Sequence, residues 1–321
     1  MTKASDLFGW LSPKGRVTPI VTVVAIVIAL WYLLAIGLNY ARVSEQLVQV
    51  NPNYTVGDLL HGTWTMERPV LPAPDQIAVD LWQSTAGWFS SVARLWNKSE
   101  SFADFWNGLA KTGKRYLPYH AYITASATLI GFAFGAILGV LLAAGIVHVR
   151  TLERSLMPWV IASQTIPILA IAPMVILILA NIGVTGLIPK AIISMYLCFF
   201  PVTIGMVKGL RSPDPQQMDL MRTYNASQWQ VFWKLRVPAS IPFLFASLKV
   251  AIAISLVGAI VGELPTGAEG GLGARMLASS YYGQMVQIWS ALLMAAMLGM
   301  ALVYLIAGVE WATLRRTGGR A

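Results

Sequence analysis

Two ionisable side chains lie inside long apolar runs of this 321-residue sequence, where a charge is costly. Lys249 and Glu263 both fall in the run 241–263. A charge at the centre of a bilayer costs about 2.5–3.5 kcal/mol on insertion scales, so neither side chain is expected to face lipid. We predict that both belong to a polar pathway, with Glu263 capping its outer end. For Lys249 the alternative is snorkelling to the membrane surface.

A second candidate for the pathway is a polar segment between prolines. Gln164 and Thr165 precede Pro167 in an apolar run that also contains Pro158 and Pro173. Proline removes a backbone donor and kinks a helix, and in a membrane the freed carbonyls need partners or water. The pattern predicts that Gln164, Thr165 and Pro167 line the pathway, or alternatively that Gln164 makes an interhelical hydrogen bond.

The residue types needed for catalysis or metal binding are sparse and scattered. His61, His120 and His148 lack a partner at metal-binding spacing and are predicted to be solvated loop residues, and the single cysteine, Cys198, allows no intrachain disulfide. The residues before Arg115 nearly match a phosphate-binding loop, but Arg115 stands where a hydroxyl must hold Mg²⁺. We predict no catalytic residue, no metal site and no cofactor, and therefore no enzyme.

The composition indicates that membrane-spanning helices position these residues. Hydrophobic residues make up 56% of the chain, charged residues make up 12%, and the mean hydropathy is +0.63. Soluble domains carry about 25% charged residues. The net charge of +9 does not indicate nucleic-acid binding, because the basic residues lie between apolar runs without interleaved aromatic residues. The sequence therefore predicts an all-α protein embedded in a lipid bilayer.

A helix needs about 20 apolar residues to cross a bilayer, and six runs meet this requirement. The predicted spans are 18–40, 121–147, 157–182, 188–210, 241–263 and 288–311. The first span follows a basic start, but it is too long for a signal peptide and lacks a small-residue cleavage site, so we expect it to be retained. Gly131, Gly135 and Gly139 predict close helix packing along the second span.

The distribution of lysine and arginine predicts which ends of the spans face the cytosol. These residues concentrate in the N-tail 1–17, between the second and third spans, in the loop 211–240 and in the C-tail 312–321. The short opposite loops carry only Lys190 and Arg275. We therefore expect both termini and the 211–240 loop to be cytosolic.

Region 41–120 is the one long insertion, between the first span and a predicted core of residues 121–311. A rigid Leu-Pro-Ala-Pro stretch at 71–74 is followed by 75–96, where apolar and tryptophan residues recur at helical spacing. Such a helix fits a membrane–water interface, or alternatively a small cap packed on the outer loops. We predict an extracytoplasmic segment with interfacial helices.

The 211–240 loop is too polar for the bilayer and too ordered for a linker. Asp219 suits the positive N-terminal end of a helix, and Asn225 tolerates the left-handed backbone of a tight turn. Residues 226–237 are predicted to continue helically until Pro238.

Four residues of this second helix are expected on one face: Trp229, Phe232, Trp233 and Arg236. A pair of short helices joined stiffly to two spans is suited to transmit force from a partner protein.

This loop resembles the EAA loop of ABC-importer permeases, whose pattern is Glu-Ala-Ala, then Gly four residues on, then Leu-Pro or Ile-Pro. The chain carries Asp219 for the glutamate, Leu220 and Met221 for the alanines, and Asn225 for the glycine. Most of 71–311 resembles the nitrate/sulfonate/bicarbonate (taurine-type) branch of the family. The matching stretches are Leu71-Pro72-Ala73-Pro74, Ile166-Pro167, Leu210-Arg211-Ser212, Arg222-Thr223, Ala226-Ser227, Val237-Pro238-Ala239 and Gly270-Gly271-Leu272-Gly273.

The resemblance implies a type I importer permease-like fold in the inner membrane of a bacterium. In that family the loop docks into a groove of the ATPase subunit. The residues expected at that contact are Asp219, Leu220, Met221, Arg222, Asn225, Ala226, Ser227, Trp229 and Pro238. The resemblance also implies a second permease copy or paralogue, a periplasmic substrate-binding protein, and ATP hydrolysis on a separate chain. The branch carries oxyanions, sulfonates and heterocycles, and the apolar, aromatic insertion favours a small organic or heterocyclic solute.

Two other functions stay open on the residues alone. An ion-driven secondary transporter typically shows inverted repeats and ionisable residues at the midplane, and this sequence has no repeat of fixed period. A membrane enzyme needs a convergent acid–base or metal cluster, and the predicted spans contain no cluster of histidine, aspartate and glutamate. Genes for an ATPase and a binding protein beside this one would favour the importer over both.

Overall fold

The computed structural model describes residues 17–50, 53–99, 101–265 and 270–316. All regular structure within these ranges is helical, which confirms the predicted all-α class. The predicted N-tail and the end of the C-tail lie outside the described residues. The helices are α1 (Val17–Val50), α2 (Val56–Thr65), α3 (Pro74–Lys98), α4 (Phe102–Gly113), α5 (Leu117–His148), α6 (Arg150–Ala162), α7 (Ile168–Asn181), α8 (Leu187–Leu210), α9 (Pro215–Thr223), α10 (Gln228–Val231), α11 (Val237–Glu263), α12 (Leu272–Tyr281) and α13 (Met285–Arg316).

Five helical segments in the described ranges are long and apolar enough to cross a membrane: Pro19–Val50, Leu117–His148, Leu187–Leu210, Gln228–Glu263 and Met285–Arg315. The sixth predicted span, 157–182, is a broken pair, because α6 and α7 meet at an angle of 100°. Ile166 is extended at the break (φ −82°, ψ 124°), as expected for a residue before proline. Pro167 therefore divides this span, whereas Pro158 and Pro173 lie within α6 and α7.

The described chain divides into two compact units. The first runs up to Gly87 and includes Ala278–Ser290, and the second comprises Trp88–Leu277 and the chain from Ala291 onward.

In the first unit, α1 continues past the predicted end of its span at residue 40 to Val50. Neither glycine nor proline interrupts it there, and most of the intervening residues favour helices. The side chain of Asn39 is fully buried. It donates to the Leu71 carbonyl at 2.9 Å and accepts from the Val70 amide at 2.7 Å. Trp31, also in α1, donates to the Pro72 carbonyl at 3.1 Å, so two side chains of α1 hold the start of the Leu-Pro-Ala-Pro stretch.

The core of the second unit is formed where α5 packs against α8, and the glycines of α5 make this possible. A methyl group at Gly131 would lie 2.4 Å from Ser194 Cβ, and one at Gly135 would lie 2.9 Å from Cys198 Cβ. At Gly139 the nearest atom would be the Phe199 carbonyl oxygen, at 2.8 Å. The predicted close packing along α5 is confirmed, because any side chain at these positions would force the helices apart.

Small residues also bring α11 against α8. A methyl group at Gly205 of α8 would lie 2.5 Å from Ser247 Cβ, and one at Gly258 of α11 would lie 2.8 Å from Ser194 Cα. The Ser194 hydroxyl hydrogen-bonds the carbonyl of Ser255 at 2.7 Å. The three helices α5, α8 and α11 therefore form a tightly packed frame.

Candidate functional site

The paired-helix element predicted in the 211–240 loop is present and comprises residues 215–236. Asn225 has a φ of +47°, which confirms the left-handed turn between its helices. The second helix begins at Gln228, two residues later than predicted, because Ser227 caps it. The Ser227 hydroxyl accepts from the Gln230 amide at 3.3 Å, and the Gln230 side chain accepts from the Ser227 amide at 2.9 Å.

The position of Asp219 differs from the expectation. Helix α9 begins at Pro215 with Asp214 as its N-cap, so Asp219 lies in the middle of the helix. Proline is favoured at the first helical position, and this explains the earlier start. The Asp219 carboxylate accepts from Arg222 Nη1 at 2.9 Å, and both side chains are exposed.

The three aromatic rings after the turn lie together, as the spacing predicted, with centroids 5.3–6.3 Å apart, but they differ in burial. Trp229 and Trp233 are 68% and 51% exposed, whereas Phe232 is buried. Phe232 packs on His148 at the end of α5, with ring centroids 4.5 Å apart. Residues Phe232–Arg236 form a π-helical turn that runs directly into α11. Phe232 therefore anchors the element to α5, and the two tryptophans stay on its outer surface.

Two further apolar side chains of the element, Leu220 and Tyr224, are exposed. With Trp229 and Trp233 they form a set that we call the element's apolar surface. The Arg211–Glu153 ion pair, at 2.9 Å, joins the chain just before α9 to α6. The apolar surface is thus presented on a support tied to α5, α6 and α11, an arrangement able to pass a displacement into the membrane helices.

Gln164, Thr165 and Pro167 lie at the break between α6 and α7, and all three are exposed. The Gln164 side-chain amide is 3.4 Å from the Ser163 hydroxyl, and Thr165 donates to the Ala162 carbonyl at 2.7 Å. The interhelical bond at this break comes from Tyr196 of α8, whose hydroxyl donates to the Ser163 carbonyl. Polar side chains thus lie at the bend, and their place in a pathway stays a prediction.

Lys249 in α11 forms an ion pair with Glu310 in α13. Sequence reasoning did not identify Glu310, although it lies within the predicted span 288–311. The available signal was that an acidic residue in an apolar helix needs a partner of opposite charge.

Glu263 lies at the end of α11 and is fully buried. Its carboxylate accepts from the Thr124 hydroxyl at 2.8 Å and from the Gly273 amide at 2.8 Å. The Thr124 hydroxyl also accepts from the Leu272 amide at 2.9 Å. Glu263 and Thr124 together bind the loop Gly270–Gly273, which follows α11 in the chain.

Two more buried side chains complete this arrangement, which we call the loop anchor (Thr124, Glu263, His120 and Lys190). Lys190 Nζ donates to the Gly270 carbonyl at 2.9 Å. His120 Nδ1 accepts from the Gly271 amide at 3.1 Å, so its Nε2 donates to the Lys114 carbonyl at 3.0 Å. The prediction of a solvated loop histidine was wrong for His120, which is buried.

Glycine is required at one position of the anchored loop. Gly271 has a φ of +127°, and a methyl group there would lie 2.2 Å from Glu263 Cδ. The Gly-Gly-Leu-Gly sequence therefore reflects both backbone conformation and close contact with the buried carboxylate.

A cavity of about 840 Å³ lies at the same end of the second unit. It is lined by the start of α5, by α7, by the start of α8 and by Gly270 of the anchored loop. Its polar groups include those of Tyr119, Tyr122, Ser126 and Lys190, and most of the remaining lining is aliphatic. Its size and chemistry suit a small, partly aromatic solute. Among the described residues, no group of three or more His, Cys, Asp or Glu side chains is arranged to hold a metal ion.

Comparison with known proteins identifies related sequences. The family "Binding-protein-dependent transport system inner membrane component" matches residues 135–311. A probable ABC transporter permease protein of Haemophilus influenzae is 32% identical over 57% of this chain and 70% of its own length. The riboflavin transport system permease protein RibX of Chloroflexus aurantiacus is 31% identical over 64% and 73%.

The formylaminopyrimidine transport permease protein ThiX of Halalkalibacterium halodurans is 34% identical over 48% of this chain and 60% of its own length. Among solved structures, an inward-facing MetNI methionine ABC transporter matches 62% of this chain and 95% of its own, with a TM-score of 0.50 and 17% identity. That likeness concerns the fold, which is the type I importer permease fold predicted from the sequence.

Proposed function

The chain belongs to the binding-protein-dependent transport system inner membrane components and is a permease subunit of an ABC importer, and we propose that it conducts a small organic or heterocyclic solute. A periplasmic binding protein delivers the solute, and two permeases, either identical copies or paralogues, enclose the pathway. The chain crosses the bacterial inner membrane several times, with both termini in the cytosol. A sulfonate or an oxyanion is the alternative cargo.

The observation that carries this proposal is the apolar surface of the paired-helix element. Four large side chains, Leu220, Tyr224, Trp229 and Trp233, project from it. Exposed aromatic residues on a rigid support are typical of protein interfaces. We assign this surface to a separate ATPase subunit, which performs the ATP hydrolysis.

The connections of the element suggest how an ATPase moves the pathway. Phe232 contacts α5 through His148, the π-turn continues into α11, and Arg211 is paired with Glu153 of α6. When ATP closes the two ATPase subunits, the elements of both permeases approach each other and the pathway opens outward. Hydrolysis then returns the pathway to the inward-facing state.

The cavity beside the loop anchor supports the choice of cargo. Tyr119 and Tyr122 offer rings for stacking and hydroxyls for hydrogen bonds, and the Lys190 ammonium is already bound to the Gly270 carbonyl. Aromatic rings recognise a planar heterocycle better than a small, strongly hydrated oxyanion. The names of RibX and ThiX describe transport of riboflavin and of a formylaminopyrimidine.

Transport is tested by reconstituting the chain in vesicles with its ATPase and binding protein. We expect uptake that requires ATP and stops when the ATPase is omitted. Undiminished uptake without the ATPase would overturn the importer mechanism and favour an ion-driven transporter.

The cargo is tested separately by a thermal-shift screen of the cognate binding protein. We expect pyrimidines, flavins or related heterocycles to raise its melting temperature. A shift with sulfonates or nitrate alone would overturn the choice of cargo and leave the importer assignment intact.

A further inference from the structure

The second half of α3 together with α4, residues 88–113, forms a helical hairpin with an aromatic outer side. Phe89 and Trp96 of α3 are seven residues apart and therefore lie on one face, and Phe102 and Trp106 of α4 are four residues apart. All four rings are more than half exposed. Trp96 packs edge-on against the buried Phe105 at 5.4 Å, so the two helices share one aromatic cluster.

The inner side of this hairpin is already occupied. The Trp88 ring lies 6.4 Å from the rings of both Tyr116 and Tyr119 at the start of α5. A methyl group at Gly113 would lie 2.7 Å from the Tyr119 ring and 3.0 Å from the Trp88 ring. The hairpin is therefore fixed to α5 through Trp88, and its exposed rings do not belong to that contact.

Covalent continuity brings the hairpin to a membrane surface. Helix α4 ends at Gly113 and α5 begins at Leu117, and α5 is one of the helices long and apolar enough to span a bilayer. Three intervening residues reach at most about 10–15 Å when fully extended. The C-terminal end of α4 therefore lies within about 15 Å of the start of α5, close to whichever membrane surface that end of α5 meets.

The charge of the hairpin suits lipid headgroups. Residues 88–116 contain five basic residues, which are Arg94, Lys98, Lys111, Lys114 and Arg115. The same segment contains two acidic residues, Glu100 and Asp104, so its net charge is positive. Basic residues near the membrane surface are attracted to anionic lipids, and tryptophan is enriched at the boundary between headgroups and acyl chains.

We infer that the hairpin lies in the membrane–water interface, with Phe89, Trp96, Phe102 and Trp106 in the acyl boundary and its basic residues among anionic headgroups. The sequence left a membrane-bound helix and a protein cap as alternatives. The exposure of the aromatic cluster, the occupied inner side and the net positive charge favour the membrane. The hairpin then fixes the depth and tilt at which α5 enters the bilayer.

The test measures the surroundings of neighbouring residues on the two faces. Cys198 is buried and is replaced by alanine to give a cysteine-free background. Spin labels are attached at Phe89→Cys and Trp106→Cys, with Ser90→Cys and Asn107→Cys as matched controls one residue along each helix. The full chain is reconstituted in vesicles of phosphatidylethanolamine and phosphatidylglycerol, and the collision rates of each label with oxygen and with a water-soluble nickel chelate are compared.

We expect the oxygen-to-nickel ratio at residues 89 and 106 to exceed that at residues 90 and 107, since oxygen concentrates in the acyl region. Nickel collisions that are equally frequent at all four sites would overturn the inference, because the rings would face water. Exclusion of both reagents at residues 89 and 106 would also overturn it, because protein would cover them. Replacing phosphatidylglycerol by phosphatidylcholine should raise nickel access at residue 106, and no change would overturn the role of anionic lipid.

Discussion

The hydroxyl of Thr124 lies 2.8 Å from a carboxylate oxygen of Glu263, across 139 residues of sequence. The same hydroxyl accepts a hydrogen bond from the Leu272 amide, so one side chain joins α5, α11 and the loop after α11. Thr128, one turn further along α5, is equally buried, but its hydroxyl donates to the Thr124 carbonyl of its own helix. The Thr124 hydroxyl therefore makes tertiary hydrogen bonds, whereas the Thr128 hydroxyl makes a bond within its own helix.

Replacing Thr124 by valine should lower the stability of the chain by about 1–2 kcal/mol, because a buried carboxylate and a buried amide each lose a partner. Thr128→Val is the matched control and should lower stability less, because the Thr124 carbonyl that loses the Thr128 hydroxyl keeps its backbone hydrogen bond within the helix. Thermal unfolding in detergent measures both variants. Equal losses would show that Thr124 does not hold the loop.

Gly131→Ala should destabilise the frame of α5 and α8 by about 1–3 kcal/mol, because the added methyl group would lie 2.4 Å from Ser194 Cβ. Gly308→Ala in α13 is the control, as no atom lies within 4 Å of a methyl group there. The melting temperature of each variant is the measurement. A Gly131→Ala chain that melts with the parent would contradict the packing described for α5.

Asn225→Ala should lower the free energy of unfolding by roughly 1–2 kcal/mol, because alanine is strained in a left-handed backbone conformation at φ +47°. Asn225→Gly should keep or raise stability, since glycine adopts this conformation without strain. Unfolding in detergent distinguishes the two variants. If both behave alike, the turn is not limited by backbone strain.

Trp229→Ala should weaken binding of the ATPase subunit by about 2 kcal/mol, the effect of truncating an aromatic residue near the centre of an interface. The stability of the isolated chain should not change, because the side chain is largely exposed. Gln216→Ala, on the exposed surface of α9, is the control. Affinity is measured between purified subunits in detergent. Unchanged affinity for Trp229→Ala would remove this residue from the docking surface.

Lys249→Met should destabilise the chain, because it leaves Glu310 partly buried without its cation. The loss should be on the order of 1 kcal/mol, since solvent reaches the Lys249 side chain and screens the pair. The double variant Lys249→Met/Glu310→Leu should recover most of the stability that Lys249→Met loses. Transport separates the two roles: normal uptake by the double variant would exclude Lys249 from the pathway, and lost uptake in a stable double variant would support the predicted pathway role.

The features that depend on local patterns were predicted well. Runs of about 20 apolar residues identified the spanning helices, and the spacing of Gly131, Gly135 and Gly139 identified the tightly packed face of α5. Asn225 identified its own left-handed turn. In each case the information lies within one continuous segment of the chain.

Errors arose where an equally good local alternative existed. Pro215 competed with Asp219 for the start of α9, and proline at the first helical position prevailed. Trp229, Phe232 and Trp233 share a face as their spacing predicted, but the spacing did not reveal that Phe232 is buried against His148. Whether an aromatic residue is buried depends on the surface opposite it, which the spacing of the sequence does not contain.

By itself the sequence determined that this chain is an all-α membrane protein with a paired-helix element between two spans, because hydrophobic length and turn chemistry are local properties. Only the tertiary structure decided that Glu263 binds Thr124 and Gly273 and that Lys249 pairs with Glu310. It also decided the angle of 100° between α6 and α7. The physical reason is that a charge in surroundings of low dielectric is costly unless it is paired. This cost predicts that a partner exists, but it does not predict which residue the partner is. The packing of α11 against α5, α8 and α13 selects which residues meet.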